Sequence, residues 1–354
     1  MIYRETGQYK SSYASDQQLF PILQDRVFVI AFLVFAFAVM PLIGSEYLFR
    51  AILIPFLILA LAAIGLNILV GYCGQVSLGT GAFMAVGAYA AYNLALRVPD
   101  LNLVVVFLLA GVFSTIAGVL FGIPSLRIKG FYLAVATLAA QFFIDWLFAH
   151  VAWFTNNASS GSVAAPALMV FGFHIDTPAE KYLLVLAFVC AFALIARNLV
   201  RGALGRSWMA TRDMDVAAEV IGIRPMRAKL SAFAVSSFII GIAGALWAFV
   251  YLEAWEPLAF DVNRSFQLLF MVIIGGLGSI LGSFLGAAFI VILPLMLNQI
   301  PGWFGIPLST ATIAHIESML FGALIVFFLI AEPHGLARLW AIGKEKLRLW
   351  PFPH

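Results

Sequence analysis

Residues 51–96 read AILIPFLILALAAIGLNILVGYCGQVSLGTGAFMAVGAYAAYNLAL, a run without one Asp, Glu, Lys or Arg. A membrane-spanning helix needs about 20 apolar residues. The run is too long for one span, so it must break inside. The break falls at residues 71–81, where Gly71, Gly74, Gly79 and Gly81 permit unwound backbone. Asn67, Gln75, Ser77 and Thr80 add hydrogen-bonding groups. Polar backbone at membrane depth is tolerated only where it is buried in protein or lines a cavity. Two readings of the break stand level: the wall of a transport path, and a loop at one membrane face with glycines for close packing.

The rest of the chain follows the same grammar. Charge-free runs cover residues 27–45, 101–126, 130–144, 182–196, 230–252, 265–316 and 318–331. The 354 residues are 63% hydrophobic and only 10% charged, against roughly 45–50% and 25% in soluble domains. There are too few polar side chains to cover a globular surface in water. The fold class expected is therefore all-α: a polytopic membrane protein of about ten helices with Gly-rich broken segments. The long run 265–316 must break at residues 275–278 and again at 298–312. Cys73 and Cys190 both lie in apolar stretches, which argues against a disulfide scaffold.

Charge sets orientation, because short cytoplasmic loops collect Lys and Arg. Residues 197–229 hold seven of the chain's 20. They are read as inside, together with Arg127, Lys129 and the tail carrying Arg338, Lys344, Lys346 and Arg348. Residues 151–180 and 298–316 are read as outside. Parity between residues 252 and 338 then requires an odd number of crossings, and the turn at 275–278 supplies the third. Segment 266–274 is short for a full crossing and reads as a half-helix. The expected organisation is a cytoplasmic segment 1–26, a transmembrane domain 27–331 with a cytoplasmic loop at 197–229, and a cytoplasmic tail 332–354. The polar first 26 residues do not resemble a cleavable signal.

Other features carry candidate chemistry. Gly278, Gly282 and Gly286 recur four residues apart, a small-xxx-small spacing that favours close helix packing. In residues 206–230, Trp208, Met209, Val216, Ala217, Val220 and Ile221 recur at helical steps, Gly222 stops the pattern and Pro225 follows. This predicts a short amphipathic helix at the inner face. Its mixed charges suit a soluble protein partner better than a lipid surface. Asp145, with Gln141 one turn before it, is the clearest ionisable residue inside a span. It lines an outer vestibule or reaches interfacial water. Glu253, Glu256, Asp261, Arg264 and Glu317 are read as flanking spans outside. His150, His174, His315, His334 and His354 show no metal-ligand spacing, and no metal site is expected. No Walker A pattern, serine triad or paired carboxylates point to an enzyme. The charge distribution does not indicate nucleic-acid binding.

Four segments together resemble one family: residues 65–89, 124–138, 205–222 and 268–286. The chain resembles the LivM-type permease subunit of bacterial branched-chain amino acid ABC importers, over nearly everything after residue 50. The resemblance implies a type II ABC importer-like permease, multi-pass in the bacterial inner membrane, with both termini cytoplasmic. It implies that residues 215–222 form the element that contacts the ATPase, with Arg212, Asp213, Asp215, Ala217, Ala218, Glu219 and Gly222 in that role. Asn67, Gln75, Ser77, Thr80, Gln141 and Asp145 are the path candidates. The implied partners are a LivH-like second permease subunit, two cytoplasmic ATPases that hold ATP and Mg, and a periplasmic binding protein, all set in membrane lipid. No cofactor is expected in this chain. Thr80 stands where relatives commonly carry His, and residues 156–160 read Asn-Asn-Ala-Ser-Ser where relatives are richer in Gly. The cargo therefore stays open between Leu, Ile and Val and related amino acids, urea, amides or aromatic acids. The rival reading, an ion-coupled secondary transporter, predicts embedded carboxylates, and Asp145 is its one deep candidate.

Overall fold

The computed structural model describes residues 11–12, 23–126, 132–158, 161–303, 310–331 and 335–349. Most of segment 1–26, the basic pair Arg127 and Lys129, and residues 304–309 of the expected outer turn lie outside the described residues.

The helices run in the order α1 (Leu23–Val34), α2 (Met40–Ile43), α3 (Ile54–Asn67), α4 (Thr80–Arg97), α5 (Leu103–Leu126), α6 (Tyr132–His150) and α7 (Pro178–Arg201). They continue as α8 (Ala203–Asp213), α9 (Asp215–Val220), α10 (Pro225–Leu246), α11 (Val262–Gly275), α12 (Ile280–Trp303), α13 (Thr310–Ala331) and α14 (Gly335–Leu349). Wide, π-type turns extend or join helices at Phe35–Val39, Leu48–Leu53, Ile68–Tyr72 and Trp247–Leu252. The fold is helical, as the charge-free runs require. The exceptions are four strands of two residues: β1 (Val163–Ala164), β2 (Met169–Val170), β3 (Phe173–His174) and β4 (Ala254–Trp255).

Eight segments among the described residues are individually long and apolar enough to cross a membrane. Two further helices are of spanning length, α4 with 18 residues and α13 with 22. The chain is thus a multi-pass membrane protein. Helix α4 is the less apolar because it hardly needs to face lipid: most of its residues, including Tyr89, Tyr92 and Asn93, are buried in protein. The opposite case is α1 and α2, whose window is 6% buried. They lie against the outside of the bundle, with most of their residues exposed. At the centre, α3 is apolar on every side and buried at every position from Leu57 to Asn67, packed against α10, α11 and α12. A helix hydrophobic all round is a buried one.

The ends of the helices define two faces. Asn93 Nδ2 donates to the Phe154 carbonyl and Arg97 stacks on Trp153, which fixes the end of α4 beside the end of α6. The same face carries the β2–β3 hairpin and the β1–β4 pair, with Val163 opposite Trp255. On the other face lie α8, α9, the two chain breaks after α3 and α11, and the start of α14. We refer to these as the hairpin face and the basic face.

The two expected breaks are real and unlike in length. The first runs from the end of the π-type turn at Tyr72 to Thr80; the second separates Gly275 from Ile280. The half-helix expectation at 266–274 also holds in form. Helix α11 has 14 residues, about 21 Å at 1.5 Å per residue, against a hydrocarbon core of about 30 Å. Its missing length is supplied by a 3₁₀ turn, Pro257–Phe260, and by the β4 segment leading in from the hairpin face.

Candidate functional site

On the basic face one side chain joins the two breaks. Asn67 is buried at the end of α3. Its Nδ2 donates to the Ser279 carbonyl at 2.8 Å and to Ser283 Oγ at 3.0 Å, with a longer contact to the Gly276 carbonyl at 3.4 Å. Its Oδ1 accepts from the Gly278 amide at 2.9 Å. The carboxamide thereby satisfies donors and acceptors that the interrupted helices leave open. The approach is close enough that a Cβ on Gly71 would meet Asn67 Oδ1 and the Gly278 amide nitrogen at 2.0 and 2.3 Å. Gly278 itself has φ +73°, which L side chains rarely adopt. A cation closes the arrangement: Arg212, at the end of α8, donates from Nη1 to the Gly71 carbonyl at 2.8 Å. The coupling candidate Arg212 and the path candidate Asn67 thus meet at Gly71, which accepts from Arg212 and packs against Asn67 and Gly278.

The small-xxx-small expectation divides. Gly282 and Gly286 lie on α12 and pack on backbone, where added Cβ atoms would meet the Gly275 and Met271 carbonyls at 2.7 and 1.9 Å. Gly278 does not share their helical face. It sits in the turn before α12, because its positive φ ends the helical path.

A second cluster lies halfway along α6. Gln141 is fully buried. Its Oε1 accepts from the Ala82 amide at 2.6 Å and from Ser265 Oγ at 2.9 Å; its Nε2 donates to the Phe260 carbonyl and to Asp145 Oδ1, both at 2.9 Å. Ser265 Oγ accepts in turn from the Gly81 amide at 2.7 Å, and Thr137 Oγ1 from the Leu78 amide at 2.9 Å. Open amides at the start of α4 are therefore capped by side chains of α6 and α11. This explains how a helix begins inside the bundle without water. Ser77 accepts from the Gly79 amide at 3.4 Å, and Gln75 is half-buried, with Nε2 3.4 Å from the Cys73 carbonyl. The Thr80 hydroxyl is buried without a partner. Asp145 is half-buried and lines a cavity of about 340 Å³ with His150, Thr155 and Glu256 on the hairpin face.

The basic-face loop folds as two helices, where the sequence pattern predicted one. Met214, at φ −160°, breaks the path between α8 and α9. Trp208 is buried and donates from Nε1 to Ser231 Oγ at 2.9 Å, which fastens α8 to α10; Lys229 pairs with Asp215 at 3.8 Å. Ala218 is buried, and Gly222 reverses the chain at φ +90°. Asp213, Ala217 and Glu219 are exposed. The apolar residues of α9 and its edges do not face the bundle. Met214, Val216, Val220 and Ile221 are 65%, 64%, 83% and 73% exposed, forming an apolar cap ringed by charge.

Two residues are placed otherwise than their sequence positions indicated: Glu317, expected to flank a span outside, lies within α13, and Arg264 lies within α11. Arg264 was expected outside, flanking a span. It lies in the first turn of α11, next to Ser265, which bonds Gln141 midway along α6. Its Nη1 donates to Gln267 Oε1 at 2.6 Å, and its guanidinium carbon lies 4.6 Å from the Trp247 ring centroid. The signal for this was Asp261, an N-cap residue whose Oδ1 accepts from the Arg264 amide. A helix starting there and ending at Gly275 is too short to reach the far face. Among the described residues no group of three His, Cys, Asp or Glu is arranged to hold a metal ion.

Comparison with known proteins places this architecture. The family described as "Branched-chain amino acid transport system / permease component" matches residues 48–329. The chain is 29% identical to the high-affinity branched-chain amino acid transport system permease protein LivM of Salmonella typhimurium, over 79% of this chain and 68% of that one. It is 28% identical to LivM of Escherichia coli, over 89% and 75%. It is 26% identical to the probable branched-chain amino acid transport permease protein LivM of Methanocaldococcus jannaschii, over 66% and 68%. No solved structure matches.

Proposed function

The chain belongs to the family of permease components of branched-chain amino acid transport systems, and from that premise we propose that it forms one half of the membrane path of an ATP-driven importer. Its cargo is a branched-chain amino acid, as the names of its relatives indicate. It works in the bacterial inner membrane beside a LivH-like second permease subunit. Two cytoplasmic ATPases hold the ATP and Mg, and a periplasmic binding protein delivers the solute. The chain is a conduit and carries no ATP-hydrolysing site of its own. Both termini and the basic face are cytoplasmic, in keeping with the excess of Lys and Arg there.

The observation that carries this reading is the apolar cap of α9. A contiguous apolar surface rimmed by charged residues marks a protein contact, and this one continues into Arg212. Arg212 reaches the Gly71 carbonyl at 2.8 Å. Movement of a docked ATPase against α9 is thereby passed to the cluster that joins the two breaks. ATP acts by favouring one arrangement of the bundle over another, since a ligand shifts an equilibrium only through differential affinity. On the other side, β1–β4 pairing joins residues 163–164 to residues 254–255, so the two outer segments offer a single surface to the binding protein. The test is Val220→Asp, with Gly222→Val as a second variant. Both are expected in the membrane at wild-type level, with ATP hydrolysis uncoupled from leucine uptake. Unchanged uptake in both overturns the reading.

A further inference from the structure

Arg264 is a cation inside the bundle whose guanidinium has no carboxylate of the described residues within ion-pair distance. Among the described residues it takes part in no ion pair. Its depth follows from its neighbours. Ser265 bonds Gln141, the midpoint of α6. Counting along α11, Arg264 stands 11 residues before the Gly275 end, about 16 Å at 1.5 Å per residue. That is near the middle of a hydrocarbon core about 30 Å thick.

The surroundings hold the guanidinium through neutral groups. Nη1 is spent on the neutral oxygen of Gln267. Nε has no hydrogen-bond partner, and neither has the Nε1 of Trp247 beneath it. Tyr251 packs its ring 4.3 Å from Trp247 and is partly exposed. Asp261 acts on the guanidinium through space only: its two oxygens accept from the Arg264 amide and from Asn263 Nδ2, not from the guanidinium. Ionisable groups at this depth are expensive and are kept for substrates or for charges that meet them there. Half-helices that begin near the midplane and point their N-termini at an anionic group are a known way to hold a carboxylate in a membrane.

We propose that Arg264 binds the carboxylate of the amino acid as it passes the middle of the membrane, with Trp247 and Tyr251 as the aromatic floor. This rests on the amino acid importer reading and names a binding residue within it. Tyr251 is exposed, and the second permease subunit would supply the facing wall on that side.

The test uses the assembled transporter in proteoliposomes with Arg264→Gln and Arg264→Lys. Loss of a charge-assisted hydrogen bond predicts a fall in leucine uptake of about tenfold to a hundredfold in R264Q. Basal ATP hydrolysis and the yield of assembled complex should stay at the wild-type level, and R264K should recover part of the uptake. The second measurement is tryptophan fluorescence of the same complex, titrated with 4-methylpentanoate and with leucinamide. The carboxylate compound should give a saturable change that disappears in both R264Q and Trp247→Phe, and leucinamide should give none. Wild-type uptake in R264Q, or equal responses to the two compounds, overturns the proposal. So does failure of the complex to assemble in R264Q, which would make Arg264 a partner of an acid on the neighbouring subunit. If the wild type moves no leucine yet 4-methylpentanoate still reports on Trp247, the importer reading fails and the carboxylate site stands.

Discussion

At the scale of the residue, Asn67 shows how much one carboxamide settles. Leucine at this position keeps the branched outline of the side chain and removes every bond to residues 276–283. Each buried backbone group left unsatisfied costs about 1–3 kcal/mol. Asn67→Leu is therefore expected to destabilise the bundle by about 3 kcal/mol, read as a lowered unfolding midpoint in detergent. A midpoint within error of wild type would show that water replaces the carboxamide. The sequence marked Asn67 and Gln141 as polar groups inside spans, which was enough to single them out. Their partners were not legible, because they lie 209 and 119 residues away. Long-range bonds of this kind leave no local periodicity. Arg264 was misplaced for the related reason that a charge beside a span is read as facing water unless the helix start is known.

At the scale of the element, the charge-free runs translated almost directly into helices. Both internal breaks were legible from Gly and polar clusters alone. The small-xxx-small face was legible for Gly282 and Gly286, and failed at Gly278, where a positive φ takes the chain out of the helix. The consequence is a sharp difference among the glycines. Gly286→Val places a branched side chain on the Met271 carbonyl and must push α11 and α12 apart. A loss of about 2 kcal/mol or more is expected from such overpacking, checked by thermal unfolding. Gly322, on α13, meets nothing within 4 Å and serves as the control: Gly322→Ala should leave the midpoint unchanged or slightly raised, since Ala favours helix over Gly. The amphipathic pattern in residues 206–222 was read as one helix with its apolar side resting on the membrane or a partner. Periodicity could not reveal the kink at Met214, which turns that apolar side away from the bundle.

At the scale of the whole molecule, residues 197–229 with their seven Lys and Arg were read as lying on one side of the membrane, and the described structure puts α8, α9 and the two breaks on one face. The expected orientation is open to a labelling test. Cys190 is replaced by Ala. Cys73 stays, because it is fully buried and out of reach of the reagent. In this background Phe171→Cys, at the tip of the hairpin, should react with a membrane-impermeant maleimide in intact cells. Val220→Cys should react only after the membrane is opened. The reverse pattern would invert every span. The tie between the breaks has a further consequence, which concerns time. Asn67 enters the membrane long before residues 276–283 have been synthesised. At 5–20 residues per second the wait is roughly 10–40 s. Throughout it, a helix apolar on every side carries a carboxamide with no partner. The nascent bundle is thus held together provisionally, and its centre locks only when the eighth or later crossing arrives to complete what the second began.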